Sequence, residues 1–584
     1  MERRKRQFWL AGAMLVLFIL GTANASTAPT WSEEIANLPI TPAGIFDAGG
    51  GPTSSESSFP ERIRCGETSA LFDFARSRRI RPALALCAGG RAWPIFATSY
   101  AWSVFGWPIA AFYPILGTSI VRLRLVWLIL SGGTSLGLAY ALARRLRGDR
   151  SALLAVGPAA ASSAAVFLAT LFFPYETFIW IWTATGCLTL SPILAGERPP
   201  ATGRAALAGL SFGLATLTNV KALFLLAPLA VWACREVPVS RRLGWRWAVV
   251  IACAMPPPAL LLWFAHVDPN AGLATETASR MSWATDIGRL TGLFREVLNA
   301  GTFGGDTGAF LASTATGSIE RSGAAVWLVA AAIALCIVTA LVRLTVRRGS
   351  PLSAACGLLL GGFVLVSALV YRHGIPANYS PIYPVFGVAV ASAIFDVWAV
   401  LGRLSSGLAR RSAALEAASV VVAMAILAWR AGSRIGDQRS LPTPMNVAAL
   451  AEVAASAALR KDAPVVTLTE VHALTLDSLS DERVHTVQAN AYFEECVRRT
   501  DVGDCVREHW RALLARTGRR PFQVLAPSPS RPHQHDSERV YAQLLGPMLL
   551  SEAQAEGFSV RTTRDFSIAG VVVMTLYLVE PAGA

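Results

Sequence analysis

The stretch from Val121 to Thr177 constrains this chain most, because two long apolar runs flank a tight knot of arginines, Arg144, Arg145, Arg147 and Arg150. Each run is long enough for a helix to cross a bilayer, which takes about 20 apolar residues. Lys and Arg are retained on the cytoplasmic side of short loops, so the knot marks that side. The turn PYET, which carries Glu176, then emerges on the opposite side.

The alternation repeats along the chain. Apolar runs lie near 121–143, 151–173, 177–195, 203–219, 222–236, 245–266, 323–342, 352–371, 382–402 and 412–429. Inward turns hold Arg198 and Arg204, then Arg235, Arg241, Arg242 and Arg246, then Arg343, Arg347 and Arg348, then Arg403, Arg410 and Arg411. The short outward turns PYET, TNVK and YRHGIPANYS are nearly free of such clusters. With a first helix near 8–25, the pattern predicts a polytopic α-helical membrane protein of about 11 transmembrane helices. Only 15% of the residues are charged, against about 25% in soluble domains. The net charge of +14 resides mostly in the inward clusters, and no nucleic-acid motif accompanies it, so a nucleic-acid partner is excluded. Arg122 and Arg124 break the rule at the outer end of their helix and are expected to snorkel to the interface.

The basic start MERRKR, the apolar run and the small-residue ANA end resemble a signal peptide. With so many spans following, retention as the first helix is expected, with a cytoplasmic N-terminus. Residues 1–430 then form the transmembrane domain, with outer loops at 27–118 and 267–322. In the first loop, GGGPTSSESSFP reads as irregular, GETSALFDFARSRRI as helical, and AWPIFATSYAWSVFGWPIAAF as an interfacial or re-entrant helix interrupted by Pro94 and Pro108. Trp102 and Trp107 read as interfacial anchors. In the second loop, Ile287, Leu290, Leu293, Phe294 and Val297 have amphipathic helical spacing that suits a lid along the membrane.

Residues 431–584 turn polar. The strand-like pieces APVVTLTEV, PFQVLAP and GVVVMTLYLVE alternate with the helical patterns VAALAEVAASAAL and DCVREHWRALLAR, the signature of a small α/β domain. An odd number of spans starting inside places it in the periplasm. Cys187, Cys253, Cys336 and Cys356 read as packing residues within apolar runs. Cys65 with Cys87, and Cys496 with Cys505, are candidate disulfides in the outer parts. HQHD, with His533, His535 and Asp536, reads as a solvated loop, and no tightly bound metal is expected.

Several segments, in this order and sidedness, resemble the GT-C superfamily of membrane glycosyltransferases, in the branch of the protein O-mannosyltransferases and lipid A aminoarabinose transferases. They are AWPIFATSYAWSVFG, RLRLVWLILSGGTSLGLAYALARRLRGDRSALLA, LFFPYETFIW, LAGLSFGLATLTNVKALFLLAPLAVW and YRHGIPANYSPIYPVFGV, spread over about residues 60–400. The resemblance implies a GT-C-like fold in the bacterial inner membrane. It also implies transfer of a sugar from a polyprenyl-phosphate donor to an unidentified glycan, lipid or protein acceptor at the periplasmic face. No tightly bound cofactor is implied; the partners are the lipid-linked donor, the acceptor and membrane lipids.

In such a reaction a carboxylate accepts the acceptor's proton and cations stabilise the leaving phosphate. The superfamily's early acidic pair, often Asp–Glu, is not identified here; Glu67 in GETSALFDFAR and Asp47 in IFDAGG are the alternatives for the base. Glu176, in a short charge-poor outer turn, is the third candidate carboxylate. Arg372, with Lys221, His373 and Tyr379, is expected to hold the donor phosphate. The competing readings are a lipid or glycan transporter or flippase, and a non-catalytic membrane assembly protein. Transporters tend to show repeated halves and midplane charges. No repeat is evident here, and the charges gather at one face.

Overall fold

The computed structural model describes residues 46–47, 72–76, 82–88, 91–96, 120–148, 152–156, 174–194, 201–219, 241–267, 323–346, 382–405, 445–460, 462–468, 484–488 in part, 501–516, 519–529 and 541–583, with isolated positions in 9–19, 104–115, 222–230, 357–362, 407–425 and 476–480. The chain divides into two compact units. One holds residues 1–28, 124–265 and 272–441; the other holds 29–123, 266–271 and 442–584.

The first unit is helical. Helix α1 (Ile120–Trp127) passes through a single π turn (Leu128–Gly133) into α2 (Thr134–Arg147), which ends at Gly148 with φ 88°. There follow α3 (Pro174–Thr189), the short α4 (Ser191–Leu194), α5 (Thr202–Thr218), α6 (Arg241–Ala254), α7 (Pro256–Val267), α8 (Gly323–Val346) and α9 (Ile382–Leu404). Each lies largely on an apolar run expected to be a span. Among the described residues, Arg124–Arg145 and Gly244–Val267 are continuous helices long and apolar enough to cross a membrane.

Apolar helices in lipid gain little from hydrophobic burial against each other, so close packing through small residues takes over. Helix α5 illustrates this. A methyl group at Gly209 would collide with the Val250 carbonyl of α6, and one at Gly213 would meet the Ala254 carbonyl. On its other side α5 packs on α3, where Gly186 admits the Phe212 ring at a distance no Cβ would allow. Gly137 in α2, by contrast, has open space where its Cβ would go.

The second unit contains two sheets. The first is antiparallel with order β1-β4-β3-β2, formed by β1 (Phe46–Asp47), β2 (Phe72–Arg76), β3 (Pro82–Ala88) and β4 (Arg91–Phe96). This corrects the expected helix in GETSALFDFARSRRI: FDFAR alternates every second residue and pairs with β3, Phe72 opposite Leu86 and Phe74 opposite Leu84. RAWPIF is likewise a strand rather than the start of an interfacial helix, with Pro94 at a position opposite Ala85 beside a register shift. Short apolar runs satisfy both periodicities, and here pairing partners decide.

The second sheet is mixed, with order β6-β5-β7-β9-β8, from β5 (Val465–Thr467), β6 (Thr486–Gln488), β7 (Phe522–Pro527), β8 (Phe558–Ile568) and β9 (Val571–Pro581). β5 runs parallel to β6 and β7, whereas β9 runs antiparallel to β7 and β8. Successive side chains take opposite faces. Val466 and Val524 enter one core with Trp510, Leu514 and Leu549 from α11 (Val502–Arg516) and α12 (Gly546–Ala555). Val465 and Leu525 enter the other with Leu450 and Val453 of α10 (Met445–Ala455). β7 is therefore buried on both faces and reads as a continuous apolar run. Gln523 in it is polar yet buried: its amide accepts from Arg460 N at 2.9 Å and donates to the carbonyls of Arg460 and Ala463 at 2.8 and 3.2 Å. Arg460 also pairs with Asp462 at 2.7 Å, which holds that carboxyl below its usual range through the hydrogen bond.

Gly209→Leu should destabilise the helical unit by at least about 1–3 kcal/mol, whereas Gly137→Ala should be neutral or stabilising by under about 1 kcal/mol; thermal unfolding of both variants in detergent measures the contrast. The β8–β9 hairpin turns on Ala569 (φ 50°) and Gly570 (φ 80°), a two-residue loop with both residues left-handed. Asn tolerates that conformation better than Ala, so Ala569→Asn should slow amide exchange along β8 and β9.

Candidate functional site

The expected chemistry centres on PYET, which the structure winds into the first turn of α3 rather than leaving as a loop, and the packing of α3 decides what lies beside it. Contacts advance together along the two helical stretches. Trp127 of α1 meets Phe178 with ring centroids 6.1 Å apart, the Trp180 indole N–H donates to the Ser135 carbonyl at 3.1 Å, and α4 meets α2. The stretch 120–147 and α3 therefore run in the same direction. This brings the N-terminal end of α1, with Arg124, and the N-terminal end of α3, with Glu176 as its third residue, to one end of the bundle. Between them, residues 152–156 are helical.

Arg124 does not snorkel. Its side chain has no exposed surface and is among the largest fully buried ones, whereas Arg122 is exposed. The sequence offered a signal, since two arginines two positions apart on a helix take different faces and only one can reach the interface easily. Buried hydroxyls continue from this end into the bundle. Thr177, Ser135 and Thr183 are buried, and their hydroxyls have no hydrogen-bond partner.

Of the remaining candidates, Asp47 is the second residue of β1, in register opposite Arg91 of β4. Glu67, Lys221, Arg372, His373 and Tyr379 lie outside the described residues, as do His533, His535 and Asp536. So does Glu33–Glu34, an adjacent acidic pair between the first helix and Asp47 that answers better than Asp47 or Glu67 to the early acidic pair of the resembled superfamily. Its presence overturns the expectation that the first outer loop holds no early acidic pair. Trp107 makes an edge-to-face contact with Trp93, centroids 5.7 Å apart. Among the described residues no three His, Cys, Asp or Glu side chains gather as a metal site would require.

These positions can be set beside known proteins. Residues 103–263 match the family described as dolichyl-phosphate-mannose-protein mannosyltransferase. ArnT from Cupriavidus metallidurans in the apo state is similar in structure with a TM-score of 0.54 at 14% identity, covering 99% of this chain and 98% of that one. The chain has the GT-C glycosyltransferase fold. The same ArnT bound to undecaprenyl phosphate gives a TM-score of 0.54 at 14% identity, with coverage of 98% and 97%. The apo oligosaccharyltransferase of Archaeoglobus fulgidus gives a TM-score of 0.48 at 13% identity, with coverage of 94% and 73%. No curated protein sequence matches the chain. The family match over residues 103–263 and the fold agree with the resemblance read from the sequence and with a polytopic membrane protein. The matched segment spans α1 to α7, which includes both Arg124 and Glu176.

In the second unit Cys505 is disulfide-bonded, while Cys187, Cys253 and Cys336 of the first unit are free. Its expected partner Cys496 lies outside the described residues. Cys505 should resist alkylation until the unfolded protein is reduced; mass spectrometry of non-reduced and reduced digests would reveal this, and would name the partner.

Proposed function

We propose that the chain is a membrane glycosyltransferase that moves a sugar from a polyprenyl-phosphate donor to a glycan, lipid or protein acceptor at the periplasmic face of the bacterial inner membrane. The observation that carries this reading is a fold shared over nearly the full length with ArnT, which has been captured with undecaprenyl phosphate. A disulfide at Cys505 supports an oxidising compartment for residues 442–584, as periplasmic placement requires.

The mechanism is a metal-independent inverting displacement. The acceptor's hydroxyl or amine attacks the anomeric carbon, a carboxylate takes its proton, and the carbon–oxygen bond to the phosphate breaks with its electron pair leaving on the phosphate. Glu176, Asp47 and Glu67, joined by Glu33–Glu34, are the carboxylates available for the base. Arg372 and Lys221, with His373 and Tyr379, are assigned to the leaving phosphate, where cations favour the charge that develops.

The test uses purified full-length protein in lipid nanodiscs with radiolabelled undecaprenyl-phosphate sugars and a membrane extract as acceptor. Transfer should survive EDTA. Loss of a catalytic base typically lowers the rate by about a hundredfold or more, so Glu176→Gln, Asp47→Asn, Glu67→Gln and the Glu33→Gln/Glu34→Gln pair are each compared with the parent. A fall of that size in one of them names the base. Undiminished transfer with all five carboxylates amidated would end the carboxylate mechanism. Reporter fusions after Arg147 and Gly432 read the orientation, cytoplasmic and periplasmic respectively.

A further inference from the structure

We propose that Asp47 is the carboxylate that takes the acceptor's proton, and that Arg91, directly across from it on β4, is its positioning residue. The inference rests on the proposed glycosyl transfer. It selects one base among the candidate carboxylates and gives a role to an arginine that had none.

The first sheet carries few charges, and its register separates them. β1 is an edge strand bonded to β4, and Asp47 lies opposite Arg91. On the other side of Arg91 the residue in register is Ala88 of β3, so β3 sets no charge against that arginine. Diagonal to Asp47 on β4 is Trp93, likewise uncharged. The remaining charged strand residues, Asp73 and Arg76, belong to β2 at the opposite edge, with β3 and β4 between. Among the described strands of this sheet, Arg91 is therefore the cation in register with Asp47.

Residues directly opposite on antiparallel strands share a face, with Cβ atoms about 4.5–5.5 Å apart, and opposite charges so placed attract. Only Gly89 and Gly90 separate Ala88 from its register partner Arg91, and a connection that short ties the two strand ends together. β4 is thus anchored at Arg91, whereas β1 is two residues long and lies at the edge. A slip of one residue would turn Asp47 to the other face of the sheet. Charge attraction across the pair opposes that slip. A base must also be ionised when the acceptor arrives, and a neighbouring cation favours the ionised form. In the transfer, the acceptor's oxygen or nitrogen bonds to the anomeric carbon and its proton passes to a carboxylate oxygen of Asp47. The electron pair of the broken carbon–oxygen bond leaves on the phosphate, and Arg91 stays protonated throughout.

The experiment measures transfer from radiolabelled undecaprenyl-phosphate sugar by the full chain in nanodiscs, as a function of pH. Asp47→Asn should lower the rate about a hundredfold at every pH. Arg91→Gln should move the acid limb of the profile up by about half a pH unit, because the carboxylate then ionises later as pH rises. Arg91→Lys, which keeps the charge, should restore most of that shift. The double variant Asp47→Asn/Arg91→Gln should be no slower than Asp47→Asn, since the two residues act as a unit. The exchange Asp47→Arg/Arg91→Asp restores an opposite-charge pair and should melt as the parent does, yet transfer no sugar. Asp73→Asn, on the far edge strand, should behave as the parent. An unmoved acid limb in Arg91→Gln, or parental transfer by the exchanged pair, would overturn the positioning role. Parental transfer in Asp47→Asn, with a hundredfold fall in another carboxylate variant, would overturn the choice of base and leave the glycosyltransferase reading intact. Absence of transfer by the parent itself would remove both. Should Arg91→Gln fail to accumulate, Arg91→Met decides by the same limb.

Discussion

Close backbone contact between helices is the constraint on which the helical unit depends. Lipid tails are as apolar as leucine, so burial alone gives one helix little reason to choose a particular neighbour. Glycine supplies the choice. Gly209 and Gly213 put α5 against carbonyls of α6, and Gly186 lets the Phe212 ring settle onto α3. Because α3 is fixed in this way on one side, its other face is presented to the α1–α2 stretch, where Trp180 reaches Ser135. The end that carries Glu176 thus inherits its position from residues with no chemistry of their own.

How legible this was in the sequence differs by element. Hydrophobic run length located α1–α2, α3, α5, α8 and α9, because a span is a long one-dimensional signal that needs no partner to be read. VVT and FQVLAP fell within pieces read as strands, and all but the last residue of VVVMTLYLVEP did, since a fully covered or half-covered sheet imposes its own pattern. β2 and β4 were missed: FDFAR and RAWPIF are too short for periodicity to separate helix from strand, and only β3 between them makes them strands. β8 was missed for a different reason. FSVRTTRDFSI is a mostly exposed edge strand whose Arg561, Arg564 and Asp565 blunt it against pairing with other chains, which hides its strand character.

The candidate site was half legible. Charge asymmetry along the chain selected Glu176 without any knowledge of packing, since an acid in a short outer turn stands out in a sequence so sparing of charge. Burial is a tertiary property, so the same asymmetry misjudged Arg124 as an interfacial anchor and gave no hint that the Thr177 hydroxyl is buried. A threonine in an apolar helix is ordinary until its neighbours deny it a hydrogen bond.

The π turn at Leu128–Gly133 has a consequence for how α1 could vary. One extra residue is wound into that turn, so the helix before it is rotated about its axis by roughly 100° relative to an uninterrupted α-helix. A chain shorter by a single residue there would wind an equally good helix of nearly equal length. Its leading segment would nevertheless be dialled round, carrying Arg124 out of the protein interior and towards hydrocarbon. The position thus behaves as a setting for rotational phase, and helix content alone would never register that it had been changed.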